Sequence, residues 1–60
     1  MKVKSVADFG TSAVLIVRAM RDAEKLERDK HYIACLAALA IAKKNVALAI
    51  EQINAKLHEQ

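Results

Sequence analysis

Three side chains in this 60-residue chain are of the types that most often act as nucleophiles or metal ligands: His31, Cys35 and His58. A cysteine beside a histidine can form a nucleophile–base pair, and the two residue types together bind zinc. One cysteine and two histidines supply too few ligands for a structural zinc site within one chain. We therefore expect Cys35 to pack as a small hydrophobic side chain and both histidines to lie at helix ends without a chemical role.

The rest of the sequence offers no active site. It contains no glycine-rich phosphate loop, no metal-ligand cluster and no recognisable nucleophile–base constellation. We therefore expect a non-enzymatic protein with no catalytic residue, no metal and no cofactor. The only aromatic residues, Phe9 and Tyr32, argue against a base-stacking surface for single-stranded nucleic acid. The net charge of +3 permits attraction to nucleic acid or anionic membrane but requires neither.

Composition and periodicity predict an all-α fold, because proline is absent and only one glycine is present. A first apolar seam recurs at spacings of 3, 4, 3, 4 and 3, which is typical of one face of an amphipathic helix. Its members are Val6, Phe9, Ala13, Ile16, Met20 and Ala23. The start of this helix has two interpretations.

Ser5 followed by Asp8 resembles a capping box, which would start the helix early. Alternatively, Gly10 marks a break and Thr11 or Ser12 is the N-cap. We expect helix 1 to begin somewhere between Ser5 and Thr11.

A second seam is longer and recurs at spacings of 4, 3, 4, 3, 4, 3 and 4, as in a heptad repeat. Its members are Tyr32, Leu36, Leu39, Lys43, Val46, Ile50, Ile53 and Leu57. The positions flanking this seam hold small residues, namely Cys35, Ala40, Ala42, Ala47 and Ala49, which suit a bundle of more than two helices. Lys44 and Asn45 are expected to point outward. Lys43 lies on the seam itself, where a lysine can extend its ammonium to the edge or fix register and oligomeric state.

The two seams are out of phase, because the apolar side shifts by roughly half a turn near residues 28–31. We therefore predict a helical hairpin of two antiparallel helices, the second longer, with Asp29 or Lys30 opening helix 2. The predicted organisation is a single domain over 1–60, with an N-terminal arm or helix start at 1–10, helix 1 at about 11–28 and helix 2 at about 31–58.

Self-association is the expected source of additional stability, because a chain this short buries only about 60% of its unfolded surface. We predict a homodimer in which two hairpins form a four-helix bundle, with higher assemblies left open. The core residues of this bundle are expected to be Ile16, Met20, Leu36, Leu39, Lys43, Val46, Ile50, Ile53 and Leu57.

Two functional hypotheses remain, and both describe a small regulatory protein. In the first, the protein binds another protein through apolar residues off the seams, namely Val14, Leu15, Val17, Ile41 and Leu48. In the second, a basic stripe of Arg18, Arg21, Lys25 and Arg28 contacts nucleic acid, although Asp22, Glu24 and Asp29 neutralise much of its charge. A β-ribbon over residues 2–6 that reads a DNA groove is a further alternative.

Neither apolar run predicts a membrane or secretory role. The run of residues 33–42 has ten residues, half of what a bilayer span needs, and the run of residues 13–17 is too short for a signal peptide. We therefore expect a cytoplasmic protein without a membrane partner. Small helical regulators of this kind are common in phage and plasmid accessory regions, which is a general expectation about small proteins.

Overall fold

The chain forms a helical hairpin in a computed structural model that describes residues 8–59. Helix α1 spans Phe9–Arg28 and helix α2 spans Tyr32–Glu59, so the second helix is longer, with 28 residues against 20. The helices are antiparallel, since Ser12 near the start of α1 bonds Gln52 near the end of α2. The predicted all-α hairpin is confirmed. Its Cα atoms extend over 45 × 25 × 14 Å, a single layer one helix thick.

Asp8 is the N-cap of α1. Its backbone is extended, and its Oδ1 accepts a hydrogen bond of 2.8 Å from the Thr11 backbone N–H. This bond lowers the pKa of the Asp8 carboxyl below its ordinary value. Because the folded-state pKa is lowered, the cap stabilises the helix above the ordinary aspartate pKa. That contribution is lost as the pH falls through the lowered value.

The interpretation of Gly10 as a helix break is wrong, and neither Thr11 nor Ser12 is the N-cap. Gly10 lies inside the first turn, and the helix begins at Phe9, within the interval expected from the sequence. The cap forms at Asp8 because its carboxylate reaches an amide that has no partner within the helix. Ser5, Val6 and the alternative β-ribbon lie outside the described residues.

The turn between the helices closes without glycine. Lys30 adopts a left-handed conformation with φ of 63°. Its N–H donates to the Glu27 carbonyl at 3.0 Å, and the His31 N–H donates to the Leu26 carbonyl at 2.9 Å. These two bonds form a Schellman motif, in which the left-handed residue is usually glycine.

Asp29 and Lys30 therefore terminate α1, and the expectation that one of them opens the second helix is wrong. The residue before α2 is His31, whose carbonyl accepts from the Cys35 N–H at 2.9 Å. The two orphan carbonyls at the end of α1 hold Lys30 and His31 in the turn, so regular helix resumes only at Tyr32.

The two helices pack through small side chains. On α1 the buried residues are Ser12, Ala19 and Ala23, and on α2 they are Ala38, Ala42 and Ala49. On α2 these alanines belong to a row with spacings of 3, 4, 3, 4 and 3, which we call the small-residue row: Cys35, Ala38, Ala42, Asn45, Ala49 and Gln52. Small side chains let helix backbones approach closely, so the helices meet along this row.

Polar groups within the small-residue row find partners there. The Ser12 hydroxyl, which is fully buried, donates to Gln52 Oε1 at 3.0 Å. The Cys35 thiol donates to the Ala23 carbonyl at 3.3 Å. Asn45 is half-buried and donates to the Ile41 carbonyl at 2.9 Å, so the expectation that it points outward is wrong. The bonds of Ser12 and Cys35 satisfy polar atoms that close packing would otherwise leave without partners.

By length and composition alone, one helix in the described part of the chain, α2, is able to cross a membrane. This result differs from the sequence expectation, which counted only uninterrupted apolar residues. Lys43 and Lys44 lie inside its apolar stretch, and a lysine at the centre of a bilayer costs about 2.5–3.5 kcal/mol.

The left-handed position of Lys30 generates a stability prediction. Replacing Lys30 with glycine should raise the free energy of unfolding by about 1 kcal/mol, because glycine adopts a positive φ without a Cβ clash. Urea unfolding at a fixed protein concentration measures this change. The control is Asp29→Gly, where φ is −83° and glycine should lower stability. A Lys30→Gly protein no more stable than the original chain would contradict this structure of the turn.

Candidate interaction surface

The second seam lies beside the contact with α1 and is exposed along its whole length. We call it the large-residue row, and its members are Tyr32, Leu36, Leu39, Lys43, Val46, Ile50, Ile53 and Leu57. Leu36 is 66% exposed, Ile50 57% and Leu57 63%. Counting 100° per residue, this row lies about 100° around α2 from the small-residue row. Helix α2 therefore carries two rows, and only the row with the smaller side chains is covered within one chain.

Helix α1 adds to the same side of the hairpin. Phe9 and Met20 are exposed and Ile16 is half-buried, and these three continue the apolar surface beside the large-residue row. We call the combined surface the apolar face. At the end away from the turn, a groove runs between the helices, lined by Phe9, Ile16, Val46, Ala49, Ile50, Ile53 and Asn54.

The apolar face narrows toward the turn. Beyond Met20, the seam of α1 holds the small, buried Ala23 and then reaches Glu27, an exposed charged residue. Near the turn, therefore, the large apolar side chains of the face come from α2, where Leu36 is 66% and Tyr32 57% exposed. The face is two helices wide at one end and one helix wide at the other.

Lys43 is the one charged member of the large-residue row. It is exposed and lies between Leu39 and Val46 along the row, near the middle of α2. Lys44 is also exposed but lies about 100° further around the helix, away from the apolar face. The two neighbouring lysines therefore occupy different environments, as the sequence pattern indicates.

The basic stripe lies on the far side of α1. Arg18, Arg21, Lys25 and Arg28 are all exposed, about 160° around the helix from its buried residues. The Arg28 guanidinium forms an ion pair of 3.5 Å with Glu24, and both side chains are largely exposed. An exposed pair of this kind adds little stability, and it reduces the positive potential of the stripe.

The apolar residues off the seams do not form one surface. Val14 and Val17 are exposed and share a shallow depression on α1 with Arg18, Arg21 and Asp22. Ile41 lines a different depression, with Leu26 of α1 and the alanines near the start of α2. Leu15 and Leu48 are half-buried. Val14 also lines a depression with Leu15, so the structure groups Val14 with Leu15 and with Val17 on α1 and leaves Ile41 at a different depression.

The residues that could do chemistry are spread along the hairpin. Cys35 is half-buried in the small-residue row, where its thiol bonds Ala23. His31 is exposed in the turn. His58, exposed near the end of α2, has its Nδ1 at 2.8 Å from the Asn54 carbonyl. Within residues 8–59, no group of three or more histidine, cysteine or acidic side chains is placed to hold a metal ion.

Comparison with protein-family models, with curated proteins and with solved structures finds no match to this chain. The candidate surface is therefore interpreted from its own geometry and chemistry.

The small-residue row is the feature that sequence reasoning missed. Its spacing is visible in the sequence, but three of its six members are alanines and two are polar. Ala42 and Ala49 also flank the larger seam, and the heptad pattern alone does not join them to Ala38. The signal that was available is the run of small residues at spacings of three and four, which indicates close helix packing.

The position of Lys43 predicts an effect that Lys44 should not share. Replacing Lys43 with leucine completes the large-residue row, so it should raise the thermal unfolding midpoint or change the oligomeric state. A leucine buried in a contact stabilises by about 1.5–3 kcal/mol. The matched control is Lys44→Leu, which adds the same side chain outside the apolar face. Calorimetry and mass measurement on both variants test this difference. Unchanged values for Lys43→Leu would mean that Lys43 is an ordinary surface residue.

Proposed function

We propose that this chain is a non-enzymatic regulatory protein that forms a homodimeric four-helix bundle in the cytoplasm and acts by binding another protein. The observation that supports this proposal is the exposed large-residue row of α2. A hairpin that packs its alanines inward and leaves its leucines and isoleucines outward has its main apolar surface available for a second molecule. A second copy of the same chain is the occupant that fits best.

The number of packed layers in the hairpin supports a second copy of the chain as the occupant of the apolar face. Domains are built from at least two packed layers around a hydrophobic core, and this chain supplies one layer. Its buried apolar residues are alanines, each of which contributes little hydrophobic stabilisation. Two hairpins packed face to face supply the second layer and turn the large-residue rows into a core.

The size of the apolar face also suits a dimer. The large-residue row runs from Tyr32 to Leu57, which is about 38 Å at the rise of an α-helix. The face is two helices wide along residues 9–20 of α1 and one helix wide toward the turn, which gives a footprint of roughly 600 Å², of the same order as a standard interface. Standard-size protein interfaces bury about 800 Å² on each partner. Burying the exposed half of one leucine or isoleucine side chain stabilises by about 1 kcal/mol, so the row supplies a substantial driving force.

For the partner protein, the outer surface of α1 is the best candidate. In a dimer formed through the apolar face, Val14, Val17 and the arginines beside them stay accessible. Arginine beside exposed aliphatic side chains is typical of protein interfaces. A phosphate backbone offers no apolar contact for the two valines, and the nearby Asp22 repels it. This combination favours a protein partner over nucleic acid, which stays the alternative.

A membrane-spanning role for α2 would use the same apolar residues as the dimer contact. The leucines and isoleucines that would contact lipid are those that would form the bundle core. In a membrane, Lys43 and Lys44 would both need polar partners, whereas in a dimer Lys44 stays in water and only Lys43 lies at the contact. The dimer places fewer charged groups in an apolar environment.

Two isoleucines of α2 allow a matched test of dimerisation. Ile50 lies on the apolar face and is 57% exposed, and Ile41 lies off the face and is 54% exposed. Ile50→Glu places a charge in the proposed interface, so it should convert the dimer to monomer at micromolar concentration. Ile41→Glu makes the same chemical change on the open surface and should keep the dimer. Native mass spectrometry of both variants and the original chain measures the result.

Equal effects of the two substitutions, or dimers in both, would contradict the proposed interface. If Ile50→Glu also unfolds the chain, the conservative variant Ile50→Ala serves instead, with Ile41→Ala as its control. That pair should differ in dimer dissociation constant by about tenfold or more, since truncating a buried isoleucine costs about 2–5 kcal/mol.

The partner surface predicts a separate outcome. A protein retained from nuclease-treated host lysate by the original chain should be lost with Val17→Glu and kept with Ile33→Glu. Ile33 is highly exposed and lies outside both surfaces, so it controls for added charge. Retention that disappears on nuclease treatment, together with salt-dependent binding of generic DNA or RNA, would instead support the nucleic-acid alternative.

A further inference from the structure

We infer that the two copies of α2 pack antiparallel to each other, about a two-fold axis that passes between the two helices at the level of Lys44 and Asn45, and that Lys43 selects this orientation. The inference rests on the proposed dimer and adds what that proposal leaves open, namely how the second copy is oriented. Three features carry it: the order of residues in the large-residue row, the position of its one charge, and the narrowing of the apolar face.

The large-residue row is complementary to itself when read in the opposite direction. The row alternates between the two apolar positions of the heptad. Antiparallel pairing about its centre brings each residue at one of these positions opposite a residue at the other position in the second copy. The four pairs are Tyr32 with Leu57, Leu36 with Ile53, Leu39 with Ile50, and Lys43 with Val46. Three of these pairs are wholly apolar. Each lysine faces a valine of the second copy, and its chain can extend past that side chain to water.

Parallel packing gives a worse arrangement of charge. Heptad positions then face their own equivalents, so Lys43 of one copy meets Lys43 of the other in the middle of the core. Two like charges at close range in a partly desolvated contact repel each other. In the antiparallel arrangement the two lysines are offset by three residues, about 4.5 Å along the helix, and each faces a valine. The lysine therefore disfavours the parallel orientation more than the antiparallel one.

The narrowing of the apolar face supports the same orientation independently. Antiparallel packing places the wide end of one hairpin over the narrow end of the other. Leu36 and Tyr32, which protrude near the turn, then meet the groove lined by Phe9, Ile50 and Ile53 of the second copy. Parallel packing sets groove on groove and leaves the grooves unfilled. It also brings the two Glu27 residues to the same level of the bundle, where like charges disfavour contact.

Cysteine cross-linking distinguishes the two orientations. In a Cys35→Ala background, Leu36→Cys and Ile53→Cys are made as separate single-cysteine chains. In the antiparallel dimer each cysteine lies about 25 Å along the helix from its own equivalent, so neither chain alone should cross-link efficiently. A mixture of the two chains, after exchange and mild oxidation, should form the mixed disulfide as its main product. Intact mass and peptide mapping identify that product. Ile41→Cys mixed with Ile53→Cys measures random cross-linking.

Each result has a distinct meaning. A mixed disulfide at least tenfold more abundant than either self-disulfide and than the Ile41 control supports the antiparallel dimer. Efficient self-disulfides in the separate chains overturn the orientation while leaving the dimer in place. A dimer by mass that forms none of these disulfides overturns the proposed pairing. A chain of monomer mass overturns the proposed function itself.

A pair of charge variants tests the role of Lys43 without cysteine. Val46→Glu places a carboxylate opposite Lys43 of the second copy if the helices are antiparallel, and Val46→Lys places a second cation there. The glutamate variant should therefore dimerise at least tenfold more tightly than the lysine variant at low salt, and this difference should shrink at high salt. Equal dissociation constants for the two variants would overturn the pairing of position 43 with position 46.

Discussion

The structure depends on the difference in side-chain size between two rows of residues on α2. One row, centred on Ala38, Ala42 and Ala49, is small enough to let α1 approach closely, and it forms the contact within the chain. The other row holds leucine, isoleucine and valine, and it stays exposed. If the large residues faced α1, the helices would be held further apart and the alanines would be left outside. Close packing on the small row therefore determines which surface the hairpin presents.

Because the small row forms the contact with α1, the hairpin folds and still leaves its large apolar side chains exposed. The helices are well formed, with an aspartate cap at the start of α1 and a Schellman turn at its end. The contact between them is completed by a part-buried hydrogen bond from Ser12 to Gln52. These features fix the shape of the hairpin but bury only small side chains. The larger hydrophobic side chains stay exposed, which is why we propose that the chain is one half of an assembly.

Sequence reasoning identified the hairpin and the large-residue row because both depend on strong periodic signals. The phase break near residues 28–31 predicted the turn even though no glycine or proline marks it. The details of the turn were not predictable, because a lysine rarely adopts the left-handed conformation that Lys30 has. The role of Asp8 was missed for a different reason. Gly10 is the stronger helix-breaking signal in the sequence. The helix nevertheless begins before it, because the Asp8 carboxylate caps the first turn at the Thr11 N–H.

The packing of the two helices could not be derived from hydrophobicity alone. A heptad analysis ranks rows by how apolar they are, and the large-residue row ranks first by that measure. Side-chain size determines which row forms the contact instead. The alanines that flank the heptad seam let the two helices approach each other more closely. Asn45 is a second example. The heptad pattern predicts that it points outward, but it lies half-buried in the small-residue row. Polar residues at such positions are informative only once the contact row is known.

The central claim is that the exposed row is a contact between two copies of the chain, and sedimentation equilibrium of the unmodified protein tests it most directly. A single chain has a mass of 6.6 kDa. Across low micromolar to millimolar concentrations, we expect twice that mass, with dissociation only at the lowest concentrations. A protein that stays at the mass of one chain throughout this range, while circular dichroism shows intact helices, would contradict the claim.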